Sequence, residues 1–361
     1  MVEERTGATR TYRVVQWATG NIGSRSLRGV IEHPALTLAG LYVYAEDKAG
    51  RDAGELIGLG PTGVTATRDI ADIVALAPDC VLYMPQACDV DDVCRLLESG
   101  ANVVTTRGEF HHPAGMDPDL RQRVEAACAR GQSSLHSTGS SPGFITEAMP
   151  LVLSSIQRRI ESMTIQEFAD LSQRDSPTLL FELMGYGADP AAFDTRRWSH
   201  GAQSFGPSLR LVAEALGLPL DTIEASGEVA TARTTTKIAA GTIEAGTVAA
   251  QRMRVEGRRD GRPLLAFEAT WYCTADLEPA WDLHPTGWRI EVRGDAPLDV
   301  ELRFAVPLET MGEWTPGYTA NRAVNAVPVV CDAAPGIRTT VDLPQIFGPL
   351  GEGPPTFLSH P

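Results

Sequence analysis

The first 140 residues alternate between short apolar runs and stretches with helical spacing. Tyr12–Trp17 is a Val-containing apolar run and predicts a first strand. Gly20-Asn21-Ile22-Gly23 follows, then a helical pattern through Glu32. Residues 38–44 read as a second strand, and 69–76 as a helix with Asp69 as its N-cap. Residues 79–84 read as a strand, 89–99 as a helix closed by Gly100, and 102–106 as another strand. Residues 117–130 predict an amphipathic helix ending at Gly131, and a strand at 134–138 closes the series. Short apolar strands alternating with helices imply a parallel sheet covered on both faces. That is the doubly wound, Rossmann-type α/β architecture.

The pattern changes after Gly139. Residues 144–160 read as one long helix interrupted by Pro150, 163–169 as a strand and 207–216 as a helix. From 228 to 274 the chain carries long β-rich runs, among them 242–254 and 264–273. Residues 288–292 and 298–305 continue them. Few helices separate these strands, so antiparallel pairing and an α+β second domain are expected. Residues 319–330 read as a helix, with Pro328 near its end, that returns to the first domain. The expected organisation is a dinucleotide-binding domain at 1–142, a substrate and dimerisation domain at 143–315, and a returning segment at 316–361. The Gly/Pro-rich tail from 348 is expected on the surface.

Composition narrows the function classes. A chain of 361 residues has room for two or three domains, and 43% hydrophobic with 21% charged residues is ordinary globular usage. The net charge of −15 argues against nucleic acid and against an anionic membrane surface as partners. No apolar run is long enough to predict a membrane-spanning helix. The opening Met1-Val-Glu-Glu-Arg-Thr has acids where a signal peptide needs bases, so a cytoplasmic protein is expected. Cysteines at 80, 88, 94, 128, 273 and 331 form no CxxC pair and no zinc-type grouping with histidine. They read as reduced, mostly buried thiols, and no metal site is expected.

The segment Thr19-Gly20-Asn21-Ile22-Gly23 opens a helix directly after the first strand. Gly20 lets backbone approach a pyrophosphate, and Gly23 allows close helix–strand packing. The helix N-terminus adds unpaired N–H groups and a positive dipole end. Ala18 stands where the usual first glycine would be. After the second strand comes Tyr44-Ala-Glu-Asp-Lys48-Ala-Gly-Arg51. An acid here would hold a ribose 2′-hydroxyl, whereas Lys48 and Arg51 could pair with a 2′-phosphate. The alternative is a solvated loop of four charges. NADP is the expected cofactor, with NAD tolerated. Met84 and Pro85, at the end of the 79–84 strand, and Asn325 complete the expected cofactor contacts.

Thr105-Thr-Arg107-Gly-Glu109-Phe-His111-His112 lies at a strand end, where open α/β sheets bind ligands. Glu109 would lie near the nicotinamide ring. There a carboxylate can hold an ammonium and relay protons if an apolar pocket raises its pKa. The alternative is an acid on a surface loop. His111 and His112 read as proton shuttles or as loop residues without function, since adjacent histidines rarely face one metal. His136, at another strand end, either lines the cleft or is structural. Gly139-Ser-Ser-Pro-Gly143 looks like a hinge rather than a hydrolase elbow, and there is no P-loop.

With these residues in place, the chain resembles the native amine dehydrogenases, relatives of 2,4-diaminopentanoate dehydrogenase with a dihydrodipicolinate-reductase-like N-terminal domain. The resemblance rests on Trp17-Ala-Thr-Gly-Asn-Ile-Gly23, Ala49-Gly-Arg-Asp-Ala-Gly-Glu-Leu56, the segment around Glu109, and Ala323-Val-Asn-Ala-Val-Pro328 with Pro335-Gly-Ile. It implies Glu109 as the key catalytic group and a homodimer formed through the second domain's sheet. Glu109-Phe-His-His112 also looks like the Glu-x-His-His motif of dihydrodipicolinate reductase. That enzyme's catalytic lysine is missing from Pro113-Ala-Gly-Met-Asp-Pro118.

The expected reaction is reversible reductive amination of a small ketone or aldehyde with ammonia. Glu109 would orient ammonia and stabilise the cationic iminium. Phe144, Phe168 and Leu171 are candidate pocket walls. Arg107, Arg196 and Arg197 read as surface residues, which favours an uncharged carbonyl substrate over an amino acid. Two rivals stay open: another NADP-dependent C=N or C=O reductase, and a non-catalytic cofactor sensor. A Glu109 pointing into solvent would favour the sensor.

Overall fold

The computed structural model describes residues 10–194 and 196–348. The acidic N-terminal stretch and the tail beyond residue 348 lie outside them. The chain divides into two compact units. One runs through Gly139 and resumes at Pro316; the other is Ser140–Thr315.

The first unit is a seven-stranded sheet. Its elements are β1 (Tyr12–Trp17), α1 (Asn21–Glu32), β2 (Leu36–Tyr42), β3 (Ala66–Thr67), α2 (Ile70–Ala75), β4 (Cys80–Tyr83), α3 (Val90–Glu98), β5 (Asn102–Thr105), α4 (Pro118–Gly131) and β6 (Ser134–Ser137). A returning strand, Gly336–Arg338, completes it. The spatial order is the returning strand, β6, β5, β4, β1, β2, β3, and every pairing is parallel. The direction of the winding reverses between β1 and β4, the switch point at which such sheets bind ligands.

Alternation along the strands explains the two covered faces. Val15, Trp17, Val81, Tyr83 and Val103 join a core with α3 and α4. Tyr12, Val14, Leu82 and Val104 face the opposite core. The returning helix, Leu308–Cys331, closes that second core with Ala323, Val324, Val327 and Val330 at helical spacing. Asp69, Asp89 and Asp117 cap α2, α3 and α4 by accepting N–H groups of the first turn.

The fold class is as expected, and two elements differ in their bounds. β2 starts and stops two residues earlier than 38–44, so Tyr44 lies beyond its end and is exposed. The returning helix starts at Leu308 rather than 319 and carries Pro316 inside it.

The second unit holds α5 (Met149–Ser154), β7 (Ile160–Asp170), α6 (Arg197–Ala215), β8 (Thr222–Ala232), β9 (Thr236–Ile238), β10 (Gly241–Ile243), β11 (Val248–Arg259), β12 (Arg262–Tyr272), β13 (Leu277–Glu278), β14 (Gly287–Gly294) and β15 (Leu298–Arg303). Its main sheet has the order β13, β8, β11, β12, β7, β14, β15. All pairings in it are antiparallel except β12 with β7, which is parallel. β9 and β10 form a separate hairpin.

Helix α6 covers one face, where Phe205 stacks on Phe267 at 3.8 Å between centroids. The opposite face carries charge. Arg254 pairs with Glu256 and Glu268, and Arg289 pairs with Glu291 and Asp299.

The predicted helix at 144–160 is not one helix. Ser140–Ala148 is irregular, α5 is short, and Ile160 already belongs to β7. Pro150 sits in the first turn of α5, where its missing N–H costs no hydrogen bond. Helix α6 begins at Arg197, not 207, and Pro207 lies inside it. Burial of Trp198, Gly201, Phe205, Leu209 and Val212 along one face outweighs the proline's local penalty. Among the described residues no helix is long and apolar enough to cross a membrane.

Candidate cofactor and catalytic site

The turn from β1 into α1 is built around a buried amide. Gln16 is 0% exposed. Its Nε2 donates to the carbonyls of Trp17 at 3.1 Å and Ala18 at 3.0 Å. Ala18 adopts φ 73°, the left-handed conformation that a glycine would take without strain. In alanine this costs roughly 1 kcal/mol. The turned-in Ala18 carbonyl explains Gly23: a Cβ there would lie 2.2 Å from it. At Gly20 a Cβ would meet no protein atom within 4 Å. Gly20 caps α1 without a side-chain hydrogen bond, and the first turn holds no acid. The N–H groups of that turn lie at a positive helix end. This is the shape a pyrophosphate needs, and the residues present fit a dinucleotide.

The segment after β2 folds back on the loop. Lys48 is half-buried and donates to Thr19 Oγ1 at 3.0 Å. Glu46, Asp47 and Arg51 are exposed. Asp52 organises the rest of the segment. Its carboxylate accepts N–H groups of Gly54 at 2.8 Å, Thr62 at 3.0 Å and Gly63 at 2.8 Å. These bonds, the one from Thr62 foremost, hold its pKa down at about 2. Tyr44 is half-exposed, with its hydroxyl fixed by Trp17 Nε1 at 2.9 Å. Trp17 in turn stacks on Tyr42 at 3.7 Å. Tyr44, Pro85, Gln86, Cys88, Asp89 and Arg123 line a cleft of about 660 Å³. Burial pushes the Cys88 thiol up to about 12, so it is a neutral wall of that cleft.

The ends of β4, β5 and β6 are tied together. Thr105 Oγ1 donates to Tyr83 O at 2.7 Å and accepts the Arg107 N–H at 3.2 Å. Ser137 Oγ donates to Arg107 O at 2.5 Å. The short turn Gly108–Phe110 buries Phe110 and folds Glu109 back on Arg107. Arg107 Nη2 and Nε donate to the two carboxylate oxygens at 2.5 and 3.2 Å, and Nη1 donates to Gln86 O. The Glu109 side chain is 36% exposed and that of Arg107 26%. Glu109 thus lies at a sheet end but not in an apolar pocket, and its neighbour is a cation. Arg107 is not an idle surface residue.

His111, His112 and His136 are buried. His136 Nδ1 lies 2.7 Å from Arg338 O and joins β6 to the returning strand, a structural role. Met84 is buried, with its N–H donated to Trp17 O at 3.2 Å. Asn325 lies on the returning helix, with its side-chain amide beside Gly348.

In the second unit, Phe168 packs on His284 at 4.6 Å between rings and Phe144 on Trp288 at 6.3 Å. Leu171 belongs to a separate core with Tyr186 and Tyr272. Arg196 pairs with Asp194 on the surface. Sequence reasoning missed Gln16, Arg107 as a partner of Glu109, and Asp52. For Asp52 a signal was present, since Asp-Ala-Gly is a turn-forming sequence.

Residues 144–352 match the family model described as the 2,4-diaminopentanoate dehydrogenase C-terminal domain. The chain belongs to this family. An amine dehydrogenase from Streptomyces virginiae is 32% identical over 354 residues, 93% of this chain and 98% of the relative. The 2,4-diaminopentanoate dehydrogenase of Acetoanaerobium sticklandii is 24% identical, covering 87% of this chain and 86% of the relative. The solved amine dehydrogenase from Mycobacterium smegmatis shares the fold, with TM-score 0.72 at 23% identity over 93% of this chain and 97% of that one. The 2,4-diaminopentanoate dehydrogenase family is one of oxidoreductases. Its membership and the open glycine loop together support a nicotinamide cofactor.

Proposed function

We propose that this protein is an NAD(P)H-dependent amine dehydrogenase that joins ammonia to a small ketone or aldehyde, reversibly, with NADP preferred. The observation that carries the reading is a pairing on one sheet edge. A helix N-terminus open to phosphate follows β1, and a carboxylate follows β5 of the same parallel sheet.

Thr19, Gly20, Asn21, Ile22 and Gly23 would hold the pyrophosphate, and Lys48 and Arg51 the 2′-phosphate. Tyr44, Met84 and Pro85 would border the adenosine and nicotinamide halves. Bound, the cofactor supplies or takes up the hydride. Ammonium yields a proton to Glu109, the ammonia adds to the carbonyl carbon, and the proton returns to the carbinol oxygen, which leaves as water and gives a protonated C=N group. Glu109 holds the ammonium, carries protons between it and solvent, and offsets the positive charge of the iminium. The protein acts in the cytoplasm as a homodimer. Sedimentation tests the dimer.

The test follows absorbance at 340 nm with NADPH, ammonium and a panel of small ketones and aldehydes. Consumption only when ammonium and carbonyl are both present supports the reading, and consumption without ammonium makes the protein a carbonyl reductase. Glu109→Gln should abolish amination and leave cofactor affinity intact; a near-normal rate refutes the role. One observation favours a second reading, a cofactor sensor: Glu109 is partly exposed rather than buried. Membership among dehydrogenases weighs against it, and tight NADPH binding without turnover on any of the panel would restore it.

A further inference from the structure

We infer that Arg107 is a positioning residue. It clamps Glu109 in one orientation and ties that orientation to the β4–α3 segment that borders the cleft. The inference rests on the reading of Glu109 as the catalytic carboxylate.

A glutamate on a loop has three rotatable bonds and, when partly exposed, samples many orientations. Glu109 does not. Both of its oxygens are taken by one guanidinium, through Nη2 at 2.5 Å and Nε at 3.2 Å. That fork fixes the plane of the carboxylate as well as its position. The guanidinium's remaining nitrogen, Nη1, donates to the carbonyl of Gln86, which lies beside Pro85 in the cleft wall.

The backbone of Arg107 is held just as firmly. Its N–H is bound by Thr105 Oγ1, which itself bonds to Tyr83 O at the end of β4. Its carbonyl is bound by Ser137 Oγ at the end of β6. Three strand ends therefore fix the residue that fixes Glu109. The pair is only two residues apart and sits on the same short turn, so no long-range folding is needed to form it. A purely structural ion pair at a loop this exposed contributes little to stability. The arrangement is better explained by what it does to Glu109, whose orientation decides where an ammonium can be held.

The cationic partner also has a consequence for the substrate. A carboxylate already neutralised by Arg107 holds an incoming ammonium less tightly than a bare one. When an ammonium approaches, Arg107 keeps its anchor to Gln86 and Glu109 gains a second partner, so the carboxylate does not have to swing to find its substrate.

The experiment compares wild type, Arg107→Ala, Arg107→Lys and Glu109→Gln in the NADPH and ammonium assay with 2-butanone, pentanal and cyclohexanone as carbonyl probes. NADPH affinity is measured alongside by fluorescence titration. Arg107→Ala should lower kcat by about 10-fold or more while the NADPH Kd stays within about 3-fold of wild type. Added guanidinium ion, at tens of millimolar, should return several-fold of the lost rate, because it can occupy the vacated fork. A merely structural role would not respond to it. Arg107→Lys keeps the charge but not the two-point grip and should fall between the two; it also serves if the alanine variant fails to fold.

An Arg107→Ala rate within about 2-fold of wild type overturns the inference. So does a loss that guanidinium leaves unchanged, or a lysine variant at the wild-type rate. Glu109→Gln separates the two levels. If it is inactive while Arg107→Ala is normal, Glu109 stands and Arg107 falls. If it retains the wild-type rate, or wild type itself shows no amination, both fall.

Discussion

Two glycines three residues apart should fail in different ways when given a methyl group. At Gly20 the backbone is extended, with φ −74° and ψ −166°, and an added Cβ meets no protein atom within 4 Å. Alanine fits there without strain, so stability should stay within about 0.5 kcal/mol of wild type. The methyl nevertheless enters the space in front of the first turn of α1. A phosphate pushed back by about 1 Å loses at least one charge-assisted bond to the turn's N–H groups. At about 1.5–3 kcal/mol per bond, that is about 10- to 150-fold in affinity.

At Gly23 the added Cβ would lie 2.2 Å from the Ala18 carbonyl oxygen and 2.9 Å from its carbon. Both are backbone atoms, so the turn itself must move by about 1 Å. Overpacking of that kind costs about 1–3 kcal/mol, and the displaced turn loses the cofactor as well. NADPH fluorescence titration and thermal unfolding, run on both variants, read the two effects separately. Gly20→Ala should lose affinity at unchanged Tm, whereas Gly23→Ala should lose both. A Gly20→Ala protein that binds NADPH as tightly as wild type would refute the phosphate cradle. One that loses binding only in step with Tm would show that the methyl acts on the fold instead.

Lys48→Met should weaken NADPH binding about 10-fold or more and leave NADH binding within about 2-fold, measured by parallel titrations. Equal losses for both cofactors would remove Lys48 from the 2′-phosphate site. Asp52 gives a pH signature. Its folded pKa of about 2 lies below the usual 3.8, so its contribution is complete above the unfolded value and is lost as pH falls from about 4 through 2. Amide protection at Gly54, Thr62 and Gly63, taken relative to the intrinsic exchange rate at each pH, should fall over that window, and Asp52→Asn should show the lower protection at neutral pH; protection unchanged in the variant would refute the reading.

Much of the first unit was legible because its signals are local. Apolar runs bounded by Asp caps and glycines mark β4, α3 and β5 within a residue or two. The local pattern marks only the later parts of helix α6 and of the returning helix, 207–216 and 319–330, and Pro207 and Pro316 lie inside the full helices. Tertiary burial of one helical face overrides that local signal. The site was half legible. The glycine loop announces itself, but Gln16 looks like any polar residue in a strand until its amide is seen bonded to the Ala18 carbonyl. Arg107 and Glu109 look like two loop charges, since their pairing depends on the turn that folds one onto the other.

The returning strand sets a timetable for synthesis. His136 on β6 and Arg338 on its neighbour are 202 residues apart. At roughly 5–20 residues per second, the ribosome needs about 10–40 s to make that stretch. Throughout it, β6 is an open edge with unpaired backbone groups, and the core face that receives Val327 and Val330 is bare. A nascent chain in that interval offers a strand edge and an apolar face to any neighbour. Truncation before residue 336 would make the condition permanent. Yield should therefore depend on translation rate and on holdase chaperones more steeply than the stability of the finished protein implies.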